Sequence, residues 1–410
     1  MYETFYHNLP NGVQIVHRPT LSPVVYVGIM IGAGTRHEQP NENGMAHYIE
    51  HCLFKGTQHY TARQIINHIE GIGGEINAYT TKEETTFYAA TLNNHFRTTL
   101  HLLADMVLRP TFNKKETDKE VTVILDEIES YNDSPSELIY DDFENMIFEG
   151  SSLAMPILGT KKTLKHISKS PDHPLNWMKQ HYRPERMVLF VQGNVTTKQV
   201  IAAAEKELAH FASSSSSSSV SSPSSLSASK ERVYKRHTHQ THIMLGSHSY
   251  PIGHPKQLTM FLLNNILGGG SMSSRLYLSL REKYGLVYNV DSQAVPLSDT
   301  GYWNIYFACE PQHKDQCLEL VHHELQTLRD VRLTSAQLQR ALRQLQGQLA
   351  ISAENQENNA LAMAKQMLYH HHAPQWQETF AKVQKITPEQ IQEVANEVFD
   401  TNKIATLQYA

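Results

Sequence analysis

Gly44-Met45-Ala46-His47-Tyr48-Ile49-Glu50-His51-Cys52-Leu53-Phe54 is the stretch from which the rest of this chain can be read. Met45, Ile49 and Leu53 recur at helical spacing, Asn43 and Gly44 are suitable N-cap residues, and Lys55-Gly56 reads as a C-terminal stop, so the pattern predicts a helix. On that helix His47 and His51 lie one turn apart with both imidazoles on one side, as two metal ligands require. Glu50 falls beside them. A carboxylate there can take a proton from a water that a zinc ion has made acidic. With 24 histidines in the chain, a His-x-x-x-His pair alone would carry little weight. Glutamate at the one position where a base is useful makes the pattern specific.

A catalytic zinc needs a third protein ligand besides an open position, and a predicted helix over 115–132 offers candidates. Counting ~100° per residue from Glu120, the apolar Val121, Ile124, Leu125 and Ile128 cover about 40° to 140° of the wheel. Glu127 lies within about 20° of Glu120, so both carboxylates flank one margin of the apolar face, whereas Asp126 and Glu129 point away. One of Glu120 and Glu127 can bind the metal while the other hydrogen-bonds a ligand histidine and fixes its tautomer.

Composition narrows the function classes. A chain of 410 residues suits two domains of about 200 residues each. Its formal net charge of −5, with no basic block and no acidic tail, gives no reason to expect nucleic acid or a membrane as partner. Cys52, Cys309 and Cys317 lack Cys-x-x-Cys spacing, which argues against a disulfide framework or a thiolate zinc site, and Cys52 reads as a small buried apolar residue. The N-terminus has no basic start with an apolar run, and no stretch reaches membrane-spanning length, so a cytoplasmic protein is expected. Gly-x-Ser-x-Gly, P-loop and dinucleotide fingerprints are missing, which removes serine-hydrolase, nucleotide and NAD readings.

Residues 1–35 read as strands with a hairpin turn at Leu9-Pro10-Asn11-Gly12. A helix over 62–73 ends at Gly71-Ile72-Gly73-Gly74, strands follow near 75–81 and 84–92 around a charged turn at Lys82-Glu83, and further elements fall at 94–108 (helix), 187–192 (strand) and 197–211 (helix). Residues 213–229 are almost entirely Ser, Ala and Pro and read as a flexible linker between a zinc-binding catalytic domain at 1–212 and a second domain at 230–410. The two look like diverged copies: 241–249 resembles 25–34, 258–267 takes the place of the motif helix, and 302–309 mirrors 84–92. Met260, Leu263 and Asn264 then stand near the ligand and base positions, so the second copy keeps the fold without the metal. An α+β architecture follows, with two similar domains, each a mostly antiparallel sheet covered by helices, facing each other across a cleft.

His47-Tyr48-Ile49-Glu50-His51 with Phe54-Lys55-Gly56-Thr57, Gly73-Gly74-Glu75-Ile76-Asn77-Ala78, Glu127, Pro156-Ile157-Leu158-Gly159-Thr160, Ser273-Ser274-Arg275-Leu276 and the segment from Arg281 to Tyr288 together resemble the inverzincins. That family contains pitrilysin, insulin-degrading enzyme and the mitochondrial processing peptidases, and its His-x-x-Glu-His order inverts the commoner zinc-protease motif. The likeness covers essentially the whole chain. It implies a zinc-dependent endopeptidase of unfolded oligopeptides in which His47, His51 and Glu127 bind Zn²⁺, Glu50 is the general base and Glu120 is a supporting partner of the ligands. Asn77 and Ala78 would pair an extended peptide with a sheet edge, and Arg281 and Tyr288 would donate to the substrate carbonyl as charge develops on it. Relatives of about this length usually work as dimers, and since both the zinc set and the Arg/Tyr pair are present, a self-sufficient homodimer is expected. The alternatives are a noncatalytic peptide-binding or assembly subunit, or one half of a heterodimeric peptidase.

Cys52 stands where many members have a larger apolar residue, and Ser151-Ser152-Leu153 replaces a segment that often contains His-Pro; neither touches the implied chemistry. His370-His371-His372 reads as a solvated helix end rather than a metal site, His237, His239 and His242 as polar positions at a strand start, and Met363 to Met367 as core packing. Gly268-Gly269-Gly270 fits a simple turn or a loop that moves on substrate binding equally well.

Overall fold

The predicted turn at Leu9–Gly12 closes a hairpin between β1 (Phe5–Asn8) and β2 (Gln14–Pro19), with Gly12 at φ +102°, where a glycine is strongly favoured. A computed structural model describes residues 3–211, 229–236 and 238–410 of the chain. With β3 (Val24–Ile31), β4 (Glu75–Thr80), β5 (Thr85–Leu92) and β6 (Met187–Gly193), the hairpin forms a sheet in the order β1-β2-β6-β3-β5-β4. The β2–β6 pair is parallel and the other pairs are antiparallel, and β4 forms an edge.

Both faces of this sheet are buried, which explains why β3 reads as a nearly continuous β-branched run rather than an alternating one. Val25, Val27, Ile29 and Ile31 face the motif helix Met45–Leu53 and the helix Phe96–Leu108. Val16, Met30, Val188 and Phe190 face Ala360, Met363, Ala364 and Met367 of the helix Gln356–His370. Met363 and Met367 are therefore core residues, and burying each stabilises the unit by roughly 1.5–3 kcal/mol. His370 ends that helix, His371 takes the left-handed conformation at φ +54°, and all three adjacent histidines are exposed.

The second sheet contains β7 (Glu231–Tyr234), β8 (Thr241–Ser249), β9 (Val287–Pro296), β10 (Gly301–Cys309) and β11 (Ala405–Tyr409) in the order β7-β11-β8-β10-β9. Its one parallel pair is β7–β11. Strand for strand it repeats β2-β6-β3-β5-β4, so the α+β duplication expected from sequence is present in the topology. The helix Gln257–Leu267 is the counterpart of the motif helix, with Met260, Leu263 and Asn264 buried.

The compact units are not contiguous in sequence. The first takes the chain up to Glu129, resumes at Met155 and includes Ser352–Pro374; the second takes Ser130–Ala154, the chain from 229 to Ile351, and Gln375–Ala410. In the second unit Ile139, Phe143 and Met146 of the helix Pro135–Ile147 pack against Met244, Tyr302 and Leu407. Each sheet thus has one face covered by a helix from the other half of the chain, because an apolar sheet face must be covered. The serine-rich residues 213–228 and His237 lie outside the described residues. Among those described, no helix is long and apolar enough to cross a membrane.

Candidate metal centre

The motif helix buries Met45, Ile49, Cys52 and Leu53 in the first core. Gly44 is its N-cap at φ +90°, but the capping group comes from Glu38, not from Asn43 or Gly44. The Glu38 carboxylate accepts from the amides of Gly44 and Ala46, each at 2.8 Å, and from the Asn43 side-chain amide at 3.2 Å. A carboxylate there satisfies orphan N–H groups and complements the helix dipole. Burial raises the Glu38 carboxyl above the usual carboxylate range, and the three donors oppose that rise. The Asn43 amide also reaches the Pro156 carbonyl at 2.8 Å, tying in the segment that contains Gly159.

The helix Lys114–Asn132 turns Glu120 and Glu127 toward the histidines and leaves Asp126 and Glu129 exposed. Glu127 Oε2 lies 3.8 Å from His47 Nε2 and 3.6 Å from His51 Nε2. Glu120 lies behind, with Oε2 3.1 Å from His51 Nδ1 and Oε1 2.9 Å from Lys55 Nζ. A proton on His51 Nδ1 donated to Glu120 leaves the Nε2 lone pair facing Glu127.

His47, His51 and Glu127 can each offer one ligand atom with all three within 4.8 Å of one another, the one such group of three among the described residues. Donors around tetrahedral zinc at ~2.0–2.1 Å stand roughly 3.4 Å apart, so small side-chain movements bring these atoms to zinc distances. Protonation also fits. Burial pulls His47 down to about 4, with His51 adding to the effect, so this ring is neutral as a ligand must be. Burial pulls His51 the same way, but the Glu127 carboxylate beside it and the hydrogen-bonded Glu120 outweigh it and raise the group. Glu127, facing the His51 and His47 rings, is held below the carboxylate range. The cation that Glu127 favours is a proton on His51, and a divalent ion bound by all three residues can replace it.

Glu50 lies on the same helix, its Oε2 accepting a 2.6 Å hydrogen bond from Thr80 Oγ1 at the end of β4. Burial raises the Glu50 carboxyl, while the Thr80 bond and His51 oppose the rise. Asn77 is exposed and Ala78 half-buried on the same edge strand. Arg281 and Tyr288 belong to the second unit: Arg281 lies in a π-helical segment, Tyr277–Lys283, its guanidinium 5.0 Å from the ring centres of both Tyr277 and Tyr288. Cys52 is buried and its thiol is pushed up by burial, which leaves it inert.

Sequence reasoning missed Glu38 and Thr80. Nothing local marks Glu38. Thr80 was within reach, because alternation along β4 puts Ile76, Ala78 and Thr80 on the face toward the motif helix.

Two similar α+β units, one of them with a His-x-x-Glu-His helix and a glutamate from a second helix converging on it, define the class of protein. The family model described as Insulinase (Peptidase family M16) matches residues 14–161, and that described as Peptidase M16 inactive domain matches residues 170–345. An uncharacterized zinc protease of Bacillus subtilis is 36% identical over 84% of this chain and 83% of its own length. An uncharacterized zinc protease of Streptomyces coelicolor is 31% identical over 95% and 86%. Among solved structures, a protease from Helicobacter pylori shares the fold with a TM-score of 0.91 at 20% identity, covering 100% of this chain and 99% of that one. A peptidase M16 inactive domain from Pseudomonas fluorescens gives 0.89 at 20% identity, covering 99% and 97%. The chain belongs to the M16 family, the pitrilysin and insulinase family, in its short two-domain form.

Proposed function

We propose that this chain is a zinc-dependent endopeptidase that hydrolyses unfolded oligopeptides. The observation that carries the reading is the convergence of His47, His51 and Glu127 beside a buried carboxylate, Glu50, on one helix. Zinc held by the three ligands would supply Lewis acidity toward a water and a substrate carbonyl. Glu120 holds the His51 ring through Nδ1 and thereby keeps its Nε2 directed at the site. Glu50 accepts the proton of the attacking water and returns it to the leaving amine; its raised carboxyl brings it closer to the pH at which it works. An extended peptide would pair with the edge strand β4 around Asn77 and Ala78, displacing the Asn77 side chain whose Oδ1 accepts from the Ala78 amide at 3.0 Å. In the second unit, Arg281 and Tyr288 are proposed as donors to substrate, and the active species as a homodimer. A reducing, cytoplasmic setting accords with three free buried cysteines.

The deciding experiment compares the wild type with Glu50→Gln for zinc content and cleavage of an internally quenched peptide. Both proteins are expected to hold one zinc per chain, and the variant to lose at least ~100-fold in kcat. A zinc-loaded wild type that cuts no peptide in a varied panel would instead favour a noncatalytic peptide-binding or assembly role.

A further inference from the structure

We propose that Thr80 is a positioning residue that latches the base to the strand on which substrate docks, an inference that rests on the peptidase reading. Thr80 Oγ1 donates to Glu50 Oε2 at 2.6 Å, which fixes one carboxylate oxygen and leaves Oε1 to accept a proton. A glutamate side chain on a helix has several rotamers, and a base is effective only in one orientation.

The anchor is itself held. The turn after Thr80 closes with the Thr81 amide on the Glu84 carbonyl at 2.8 Å, and its three charged residues are buried at 7% (Lys82), 5% (Glu83) and 2% (Glu84) exposure. Each is paired: Lys82 Nζ with the Met155 carbonyl at 2.6 Å, Glu83 with Arg36 at 2.5 Å, and Glu84 with Lys365 and Tyr369, both at 2.7 Å. Burying three charges in succession is costly unless all are satisfied, and satisfying them fixes the turn. Thr80 therefore connects a rigid hairpin end to Glu50, and Asn77 and Ala78 lie on the same strand. The second unit also ties its corresponding helix to its edge strand, there through the residue in the place of His51: Ser292 Oγ donates to Asn264 Oδ1 at 2.6 Å, and Asn264 Nδ2 to the Ser292 carbonyl at 2.8 Å.

Thr80→Val keeps the shape and β-branching of the residue and removes the donor; Thr80→Ser keeps the donor. With the full zinc-loaded chain and a quenched peptide, Thr80→Val is expected to lose ~10- to 100-fold in kcat with KM within about two-fold of wild type and zinc content unchanged. Thr80→Ser should retain kcat within a few-fold. The proposal is overturned if Thr80→Val keeps wild-type kcat, if its loss lies in KM or zinc content alone, or if Thr80→Ser falls as far. A wild type that cuts nothing would count against the peptidase reading, and crystal structures would then decide the latch: a Glu50 carboxylate swung away in Thr80→Val supports it, and one unmoved overturns it.

Discussion

Glu120 and Glu127 lie two helical turns apart on one margin of the same helix, and their partners separate them. Glu127 approaches the Nε2 atoms of both histidines, whereas Glu120 bonds the far side of His51 and Lys55. Glu120→Gln keeps an acceptor for the His51 N–H but removes the charge, so zinc affinity is expected to fall ~10- to 100-fold, measured by competition with a chelator, with the fold unchanged by circular dichroism. Affinity equal to wild type would mean that Glu120 serves packing alone. The helical wheel narrowed four acids to these two but could not rank them. An angle on one helix does not say which ring nitrogen a carboxylate meets; that depends on how two helices distant in sequence are packed. The same limit hid Glu38, which caps a helix beginning seven residues later through a loop with no regular period.

At the scale of the element, the start of the motif helix is fixed by two glycines back to back. Gly44 sits at φ +90°, and a Cβ on it would lie 2.8 Å from the Cα of Gly159, itself at φ +74°. Gly44→Ala combines a disfavoured backbone conformation with an overpacked contact, so it is expected to cost roughly 2–4 kcal/mol and to weaken zinc retention with it. Gly347, inside the helix Ser335–Ser352, has a negative φ and open space for 4 Å around the place a Cβ would take, and Gly347→Ala should stabilise by roughly 0.5–1 kcal/mol. Opposite shifts of the unfolding midpoint for the two substitutions check the argument; shifts of the same sign would refute it. Both motif helix and hairpin were legible because their signals are local: apolar residues at helical spacing, and a turn sequence whose glycine must take positive φ. The buried turn at Lys82-Glu83 was expected as an ordinary charged hairpin turn. Its burial depends on Arg36, Met155, Lys365 and Tyr369, none of them near it in sequence.

For the whole molecule, the duplication was readable because each copy repeats its strand and helix pattern in order, but the helices that cross between the halves were not. A helix such as Gln356–His370 has an apolar face in either case, and only the uncovered face of the first sheet says where it goes. That buried first unit carries a prediction about pH. Burial pulls His17 down to about 4, and burial with the Arg186 charge pulls His37 to about 3 and His181 to about 4. In the unfolded chain these groups titrate near 6.5. Between those values the unfolded state binds more protons than the folded one, so stability is full above about pH 6.5 and falls as pH drops toward 4. At pH 5 each of the three can remove at most ~2 kcal/mol, from 1.4 kcal/mol per unit of separation. Glu38, Glu50 and Asp291 work the other way, since a raised carboxyl favours the folded state at low pH and loses that contribution as pH rises, but burial also pulls down His242, His248 and His322, so the lowered histidines outnumber the raised carboxyls. In metal-free protein His47 and His51 shift in opposite directions. The urea midpoint of chelator-treated protein is therefore expected to fall from pH 7 to pH 5, before ordinary carboxylates begin to titrate. His37→Gln should be less stable at pH 7, having lost the ring whose Nε2 accepts from Arg186 at 2.6 Å and whose Nδ1–H donates to the Gly34 carbonyl at 3.3 Å, yet its midpoint should depend less steeply on pH. A midpoint that is flat or rises between pH 7 and pH 5 would show that these buried histidines are protonated in the folded chain.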